Sequence, residues 1–475
     1  MNVREVAFDI LKKVEDDNLY VNDLLGNALR IHQFEDKRDR AFLTRLVEGV
    51  TERKLSLDFL INKFSAKGSN KKIKPDIRII LRMGIYQIRY MDQIPNRAVI
   101  AEAVEMTKSK GYQGLSGYVN GLLRNVDRVY EEGKLDSYLV SNQESRYSTP
   151  MWICRLLTES YGKEKTRLIL EDQYREHDTV IRVNQYKIST DEYKKRLIEK
   201  GIKVEDGLIS GRCLRISGYD SISRLPGYRD GLFIVQDETS VYAIEHAGIK
   251  PGDKVLDLCS APGGKSLLAY ELSDSGIILS RDISQKKISL IEENAQRMGI
   301  PFLVMDQEAS RVDDLEMYSD NKKIASDNKK IASDNKYISG INIEIRDANI
   351  LDKQVEGLEA RDKFDVVLSD VPCSGLGIIG RKNDIKYHVT EESIRFLAEQ
   401  GLGILKNASH YVKDNGSICY STCTINPSEN GEVVKAFLES EEGNDFVLVE
   451  DKTFLQGIDG SDGFYYAILR KACNI

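Results

Sequence analysis

The sequence predicts a multidomain protein: an all-α bundle, a small α+β linking unit and a C-terminal Rossmann-like α/β domain. Two patterns carry this reading. Apolar residues recur at helical spacing through residues 1–140, and short apolar strands alternate with amphipathic helices from Gln236 onward. The stretch 141–235 follows neither pattern for long, which sets the boundaries at 1–140, 141–235 and 236–475.

In the first region the helical runs are Val6, Ile10, Leu11 and Val14, then Phe42, Leu43, Leu46, Val47 and Val50. Ile79, Ile80, Met83 and Ile85 form a third run, and Ile100, Ala103, Val104 and Met106 a fourth. Gly68-Ser69-Asn70, Pro95-Asn96 and Gly111 break them. The middle region offers strands at 180–183, 214–216 and 232–235 around an amphipathic helix at 191–200. In the last region, strands at 255–258, 277–279, 343–345, 366–368 and 418–420 alternate with helices. That alternation predicts a parallel sheet covered on both faces, closed by a strand pair at 446–449 and 464–469. Within 319–336 the unit Ser-Asp-Asn-Lys-Lys-Ile-Ala repeats. It is too polar and short to build a core, so 301–339 reads as largely a disordered insert.

Composition excludes several classes. The 475 residues are 41% hydrophobic and 30% charged, enough for sizeable cores, and no apolar run reaches the roughly 18 residues of a membrane span. Arg4, Glu5 and Asp9 argue against a signal peptide, and seven cysteines without framework spacing argue for a reducing compartment, so the cytoplasm is expected. A net charge of −7 looks unfavourable for binding nucleic acid. Between Asn62 and Tyr90, however, Lys63, Lys67, Lys71, Lys72, Lys74, Arg78, Arg82 and Arg89 face the single acid Asp76. Such a stretch suits RNA or a solvated helix face equally. The five histidines, at 32, 177, 246, 388 and 410, lack ligand spacing, so no metal is expected.

Four motifs carry chemistry. The segment Asp257-Leu-Cys-Ser-Ala-Pro-Gly-Gly-Lys265 is a strand, a glycine turn and a helix start, where α/β sheets bind nucleotides. A phosphate loop would need glycine where Cys259 stands, and no Gly-x-Gly-x-x-Gly is present, which leaves an adenosyl ligand without a pyrophosphate. Asp282, after the next strand, is placed to accept ribose hydroxyls, and Asp347 to meet an adenine amino group. Asp370-Val-Pro-Cys373-Ser374-Gly375 and Ser421-Thr-Cys423-Thr424 each follow a strand and put a thiol at its carboxyl end. A helix starting after Cys423 would lower its pKa. Paired thiols beside an adenosyl pocket fit methylation of carbon 5 of cytosine. That carbon becomes nucleophilic only after a thiolate adds to carbon 6, whereas methylation at nitrogen or oxygen needs no thiol.

Together these motifs resemble the Nop2/Sun family of RNA cytosine-5 methyltransferases. The first region resembles a NusB-type RNA-binding domain through Arg4-Glu-Val-Ala7, Asp39-Arg-Ala-Phe42, Glu102-Ala-Val-Glu105 and Val119-Asn-Gly-Leu-Leu-Arg124. Tyr147-Ser-Thr-Pro-Met-Trp152, Arg182-Val-Asn184 and Gln236-Asp237 match as well. The resemblance implies a class I S-adenosylmethionine-dependent domain and a 16S rRNA substrate; a monomer is expected by default, with no motif that addresses the oligomeric state. The resemblance also implies Cys423 as nucleophile and Cys373 as the thiol that assists product release, with Asp370 and Lys265 completing the catalytic set. Spacing alone does not separate the two thiols. Cys259, Ser260, Ala261, Pro262, Gly263, Gly264, Lys265, Asp282, Asp347 and Asp370 would hold the cofactor. The same chemistry on tRNA or 23S rRNA, or a catalytically dead RNA-binding assembly factor, are the alternatives. Two departures stand out: Val371 replaces a small residue and is expected to crowd the base pocket, and the repeat precedes Asp347 directly.

Overall fold

A computed structural model describes residues 2–31, 37–65, 73–140, 142–305, 317–318, 337–350 and 363–473. The repeat at 319–336 lies outside the described residues. The chain divides into two compact units: Met1–Arg175 with Ile379–Val389, and Glu176–Ile378 with Thr390–Ile475. No helix among the described residues is long and apolar enough to cross a membrane.

The first unit is helical. Its central helix, Pro75–Tyr90, starts with proline at its first position and is buried on nearly every side, including Ile77, Ile80, Leu81, Met83, Ile85 and Ile88. Around it pack Val3–Asp17, Lys37–Glu52, Lys54–Phe64, Asn96–Ser109 and Ser116–Glu131. Close approach is built in at Gly49, where a Cβ would lie 2.0 Å from the Tyr86 ring.

Among the described residues of the basic stretch, its three arginines are paired with acids. Arg82 is buried and paired with Asp58 and Glu15, Arg78 pairs with Asp58, and Arg89 with Asp136. Lys67, Lys71 and Lys72 lie outside the described residues. The excursion Ile379–Val389 also belongs to this unit. There the fully buried Lys386 donates to the Glu52 carbonyl (3.0 Å) and to Gln173 Oε1 (2.7 Å), while Tyr387 donates to the Ser148 carbonyl (3.0 Å). Burial pushes the Lys386 ammonium down to about 7.

The second unit holds two sheets. The smaller is antiparallel, formed by β1 (Thr179–Val183), β2 (Lys203–Asp206), β3 (Cys213–Ser217) and β4 (Phe233–Val235) in the order β2-β3-β1-β4. The helix Thr190–Glu199, capped by Ser189, buries Tyr193 and Leu197 among Ile181, Val183, Leu214 and Phe233.

The larger sheet comprises β5 (Lys254–Asp257), β6 (Ile277–Asp282), β7 (Phe302–Val304), β8 (Met317–Tyr318), β9 (Gly340–Ile345), β10 (Phe364–Asp370), β11 (Val412–Thr422), β12 (Phe446–Phe454) and β13 (Phe464–Lys471). Their order is β12-β13-β11-β10-β5-β6-β9-β7-β8. The centre, β11 to β7, is parallel as expected. Both ends are antiparallel: β13 runs against β11 and β12, and β8 against β7. The sheet is therefore mixed, because the short link Leu455–Gly463 permits a hairpin but no crossover helix. Phe302–Val304, assigned from sequence to the insert, pairs with β9 and buries Phe302 and Leu303. Chain direction across the sheet reverses at β5, which sends β6 to one side and β10 to the other. The crevice at the carboxyl ends of β5, β10 and β11 is thus a topological switch point.

Candidate active site

The loop after β5 is tied down by its own backbone and by β6. Ser260 donates both its N–H and its hydroxyl to the Arg281 carbonyl (2.9 Å each), and the Gly263 N–H reaches the Ser260 carbonyl (2.7 Å). The Ala261–Pro262 bond is cis, and Gly263 has φ 102°, a left-handed conformation that favours glycine. The helix Gly264–Leu272 then begins. Cys259 is half-buried among Leu256, Leu258 and Leu279, and burial raises its thiol well above the usual range.

Asp257, at the end of β5, is fully buried. Its Oδ2 accepts from Ser266 (2.6 Å) while Oδ1 has no hydrogen-bond partner, and burial raises its pKa to about 7. Asp282 ends β6. Its Oδ2 accepts from the Ala261 N–H (2.9 Å), and its Oδ1 from the Ile283 N–H (2.7 Å) and the Lys287 ammonium (2.9 Å). Three of the roughly four lone-pair sites of this carboxylate are occupied, so a ribose would compete with Lys287, which is half exposed. β9 pairs with β6 through Asp282 and Ile345, which puts Asp347 two residues beyond, at the same sheet edge. There Asp347 Oδ1 accepts from the Asn349 N–H (2.9 Å) and side chain (2.8 Å).

At β10 and β11, Asp370 stands opposite Ser421. Asp370 Oδ1 accepts from the Ser421 hydroxyl (2.7 Å) and Oδ2 from the Lys265 ammonium (2.7 Å). Burial opposes charge on Lys265, but Asp370, Asp257 and Cys423 outweigh it, and its pKa is raised. The two thiols meet here, with Cys373 Sγ 3.3 Å from Cys423 Sγ. Cys423 and then burial push the Cys373 thiol well up, so Cys373 keeps its proton. Gly377 permits this approach: its N–H reaches the Cys423 carbonyl (3.1 Å), and a Cβ would lie 2.0 Å from the Gly463 carbonyl.

Two expectations are corrected here. The helix after Cys423 begins only at Gly431, behind the 3-10 turn Pro427–Glu429, so Cys423 is outside its first turn; Cys423 is instead among the groups that favour the charged form of Lys265. Val371 does not face the base pocket. It is buried in the core with Ile404 and Tyr420 and packs towards Gly401 on the helix Glu391–Tyr411.

Sequence reasoning missed two clusters. Arg182, fully buried, donates to Gln236 Oε1 (2.8 Å) and to Glu271, and reaches the Gly264 carbonyl (3.4 Å). Its motif partner Asn184 donates to the carbonyls of Gly231 (3.0 Å) and Met298 (3.2 Å). The second cluster surrounds Glu429, which is buried beyond the Cys423 turn. Among the described residues, no group of three or more His, Cys, Asp or Glu side chains is placed to hold a metal.

A mixed sheet of this order, with a glycine loop at its switch point and paired thiols, defines a Rossmann-like methyltransferase domain. Comparison with known proteins agrees. The NusB family matches residues 1–128, a ferredoxin-like domain of the RsmF/B type matches 149–222, and the family described as 16S rRNA methyltransferase RsmB/F matches 247–470. A Bacillus subtilis (strain 168) protein named "Probable ribosomal RNA small subunit methyltransferase B" is 30% identical over 490 residues, covering 99% of both chains. The Vibrio cholerae ribosomal RNA small subunit methyltransferase B is 29% identical, covering 99% of this chain and 98% of that one. The solved structure of PH0851 shares the fold across 99% of both chains, with a TM-score of 0.73 at 21% identity. The chain belongs to the 16S rRNA methyltransferase RsmB/F family.

Proposed function

We propose that this chain transfers a methyl group from S-adenosylmethionine to carbon 5 of a cytosine in 16S rRNA, through a bond between Cys423 and carbon 6 of the ring. The 3.3 Å approach of the two thiols beside the Lys265–Asp370 pair carries this reading, because transfer to nitrogen or oxygen needs no thiol. The small-subunit rRNA named for the relatives, and the NusB-type region, support the substrate.

Residues Cys259–Lys265, Asp282, Asp347 and Asp370 would hold the cofactor. The buried, partnerless Asp257 Oδ1 at the end of β5 suits an ammonium group, and the methionine moiety carries one. When bound, the cofactor supplies an electrophilic methyl on a sulfonium.

The Cys423 thiolate adds to carbon 6, and the displaced ring electrons pass to carbon 5 and towards nitrogen 3. The Lys265 ammonium, held in place by Asp370, stabilises the negative charge that develops there. Carbon 5 takes the methyl group, and a base then removes its proton so that the ring electrons expel the Cys423 thiolate. Cys373 is suited to this last stage. Its sulfur lies 3.3 Å from that of Cys423, beside the bond that must break.

The test is incubation with 16S rRNA and cofactor, followed by denaturing electrophoresis and bisulfite sequencing. Cys423→Ala should abolish methylation without an adduct, and Cys373→Ala should accumulate a protein–RNA adduct. The opposite pattern would exchange the two roles. Full methylation by both variants would remove the covalent mechanism.

A further inference from the structure

The geometry points to Glu429 as a positioning residue that holds the Cys373 turn against Cys423. This rests on the cysteine roles proposed above. Glu429 is buried, and each contact its carboxylate makes is as an acceptor. Oε1 takes the Ser374 N–H (2.7 Å), and Oε2 takes the Ser374 hydroxyl (2.6 Å) and the Asn426 amide (2.9 Å). The Ser374 hydroxyl also lies 2.8 Å from Thr424 Oγ1. One carboxylate therefore joins the residue after Cys373 to residues just after Cys423.

The two turns depend on it unequally. The Cys423 turn has other supports: Asn430 Nδ2 donates to the Thr424 carbonyl (2.9 Å), Thr422 Oγ1 to Asn430 Oδ1 (2.6 Å), and Tyr420 to the Glu429 carbonyl (2.6 Å). Ser374, by contrast, meets this carboxylate with both its backbone and its hydroxyl. The Gly377 N–H still ties the far end of the Cys373 turn to the Cys423 carbonyl (3.1 Å), so losing the Glu429 side chain should loosen the Cys373 turn at Ser374 and leave the Cys423 turn in place. Its negative charge also helps Cys373 retain its proton. Glutamine cannot replace it, because either orientation of the amide points an NH₂ at an N–H or amide donor.

Glu429→Gln and the milder Ser374→Ala are compared with wild type in the full chain, with circular dichroism as the folding control. Adduct formation should stay within about threefold of wild type while release slows at least tenfold, so that adduct accumulates, less so in Ser374→Ala. Independently of RNA, alkylation of Cys373 in a Cys423→Ser background, followed across pH by mass spectrometry, should shift to lower pH by about one unit in Glu429→Gln. Equal slowing of formation and release, or an unshifted alkylation profile, would overturn the assignment. If Cys373→Ala itself yields no adduct, the cysteine roles fail, and the alkylation profile still decides whether Glu429 governs Cys373.

Discussion

Replacing Arg182 with methionine should cost the second unit about 3–5 kcal/mol, the usual consequence of removing one partner from a buried ion pair. The structure supports the upper part of that range. Arg182 has no exposed side-chain surface and Glu271 only 3%, so the glutamate left behind has no access to water. Its remaining cation, Arg212, lies 3.6 Å from Oε2, too far for a hydrogen bond, and Gln236 Oε1 also loses its donor. Methionine fills most of the volume, which keeps the cavity contribution small. Hydrogen exchange at peptides spanning Ile277–Asp282 reads this unit alone, and Trp152, the single tryptophan, reads the other unit as an internal control. Arg182→Met/Glu271→Gln should recover a large part of the loss because no unpaired charge remains. A single-variant loss below about 1 kcal/mol, or a double variant no better than the single, would refute this reasoning.

Two pH dependences follow from buried groups. If Asp257 meets the cofactor ammonium, its carboxylate form is the binding form. Affinity measured by calorimetry should then weaken as pH falls through about 7, and Asp257→Asn should bind more weakly with a flat profile. A wild-type profile in that variant would contradict the role. Lys386 has the opposite consequence to a surface lysine. Its folded pKa of about 7 lies below the ordinary 10.5, so between these values the unfolded chain binds the extra proton. Stability of the helical unit, followed by Trp152 fluorescence in urea, should therefore rise with pH across that window. Lys386→Met should remove the slope; a slope that persists would assign it to another group.

The sequence made the central strands legible because Val255-Leu256, Ile278-Leu279 and Val366–Leu368 are short apolar runs between turn signals, buried on both faces. β2, read as Lys-Val-Glu-Asp, was hidden: an edge strand exposed at three of its four positions has no apolar pattern to betray it. β7 is three residues long and borders the repeat, so composition absorbed it into the insert. Within the site, Lys265, Asp370, Cys373 and Cys423 could be placed from strand ends, because the carboxyl ends of parallel strands share one edge. The partners of Arg82, Arg182 and Glu429 could not. A charge looks the same in sequence whether it is solvated or enclosed, and the Arg82–Asp58, Ser374–Glu429 and Arg182–Glu271 contacts join residues 24, 55 and 89 positions apart.

The excursion Ile379–Val389 has a consequence for how such proteins can be divided or recombined. The chain leaves the sheet-bearing unit six residues after Cys373, fills the interior of the helical unit with Lys386 and Tyr387, and returns for the helix Glu391–Tyr411. A fragment cut at Arg175 would lack the donors that satisfy the Glu52 and Ser148 carbonyls and Gln173 Oε1. The N-terminal module is therefore laced into the gene rather than strung at its end. Shuffling it between relatives succeeds only if a second, distant stretch of coding sequence travels with it.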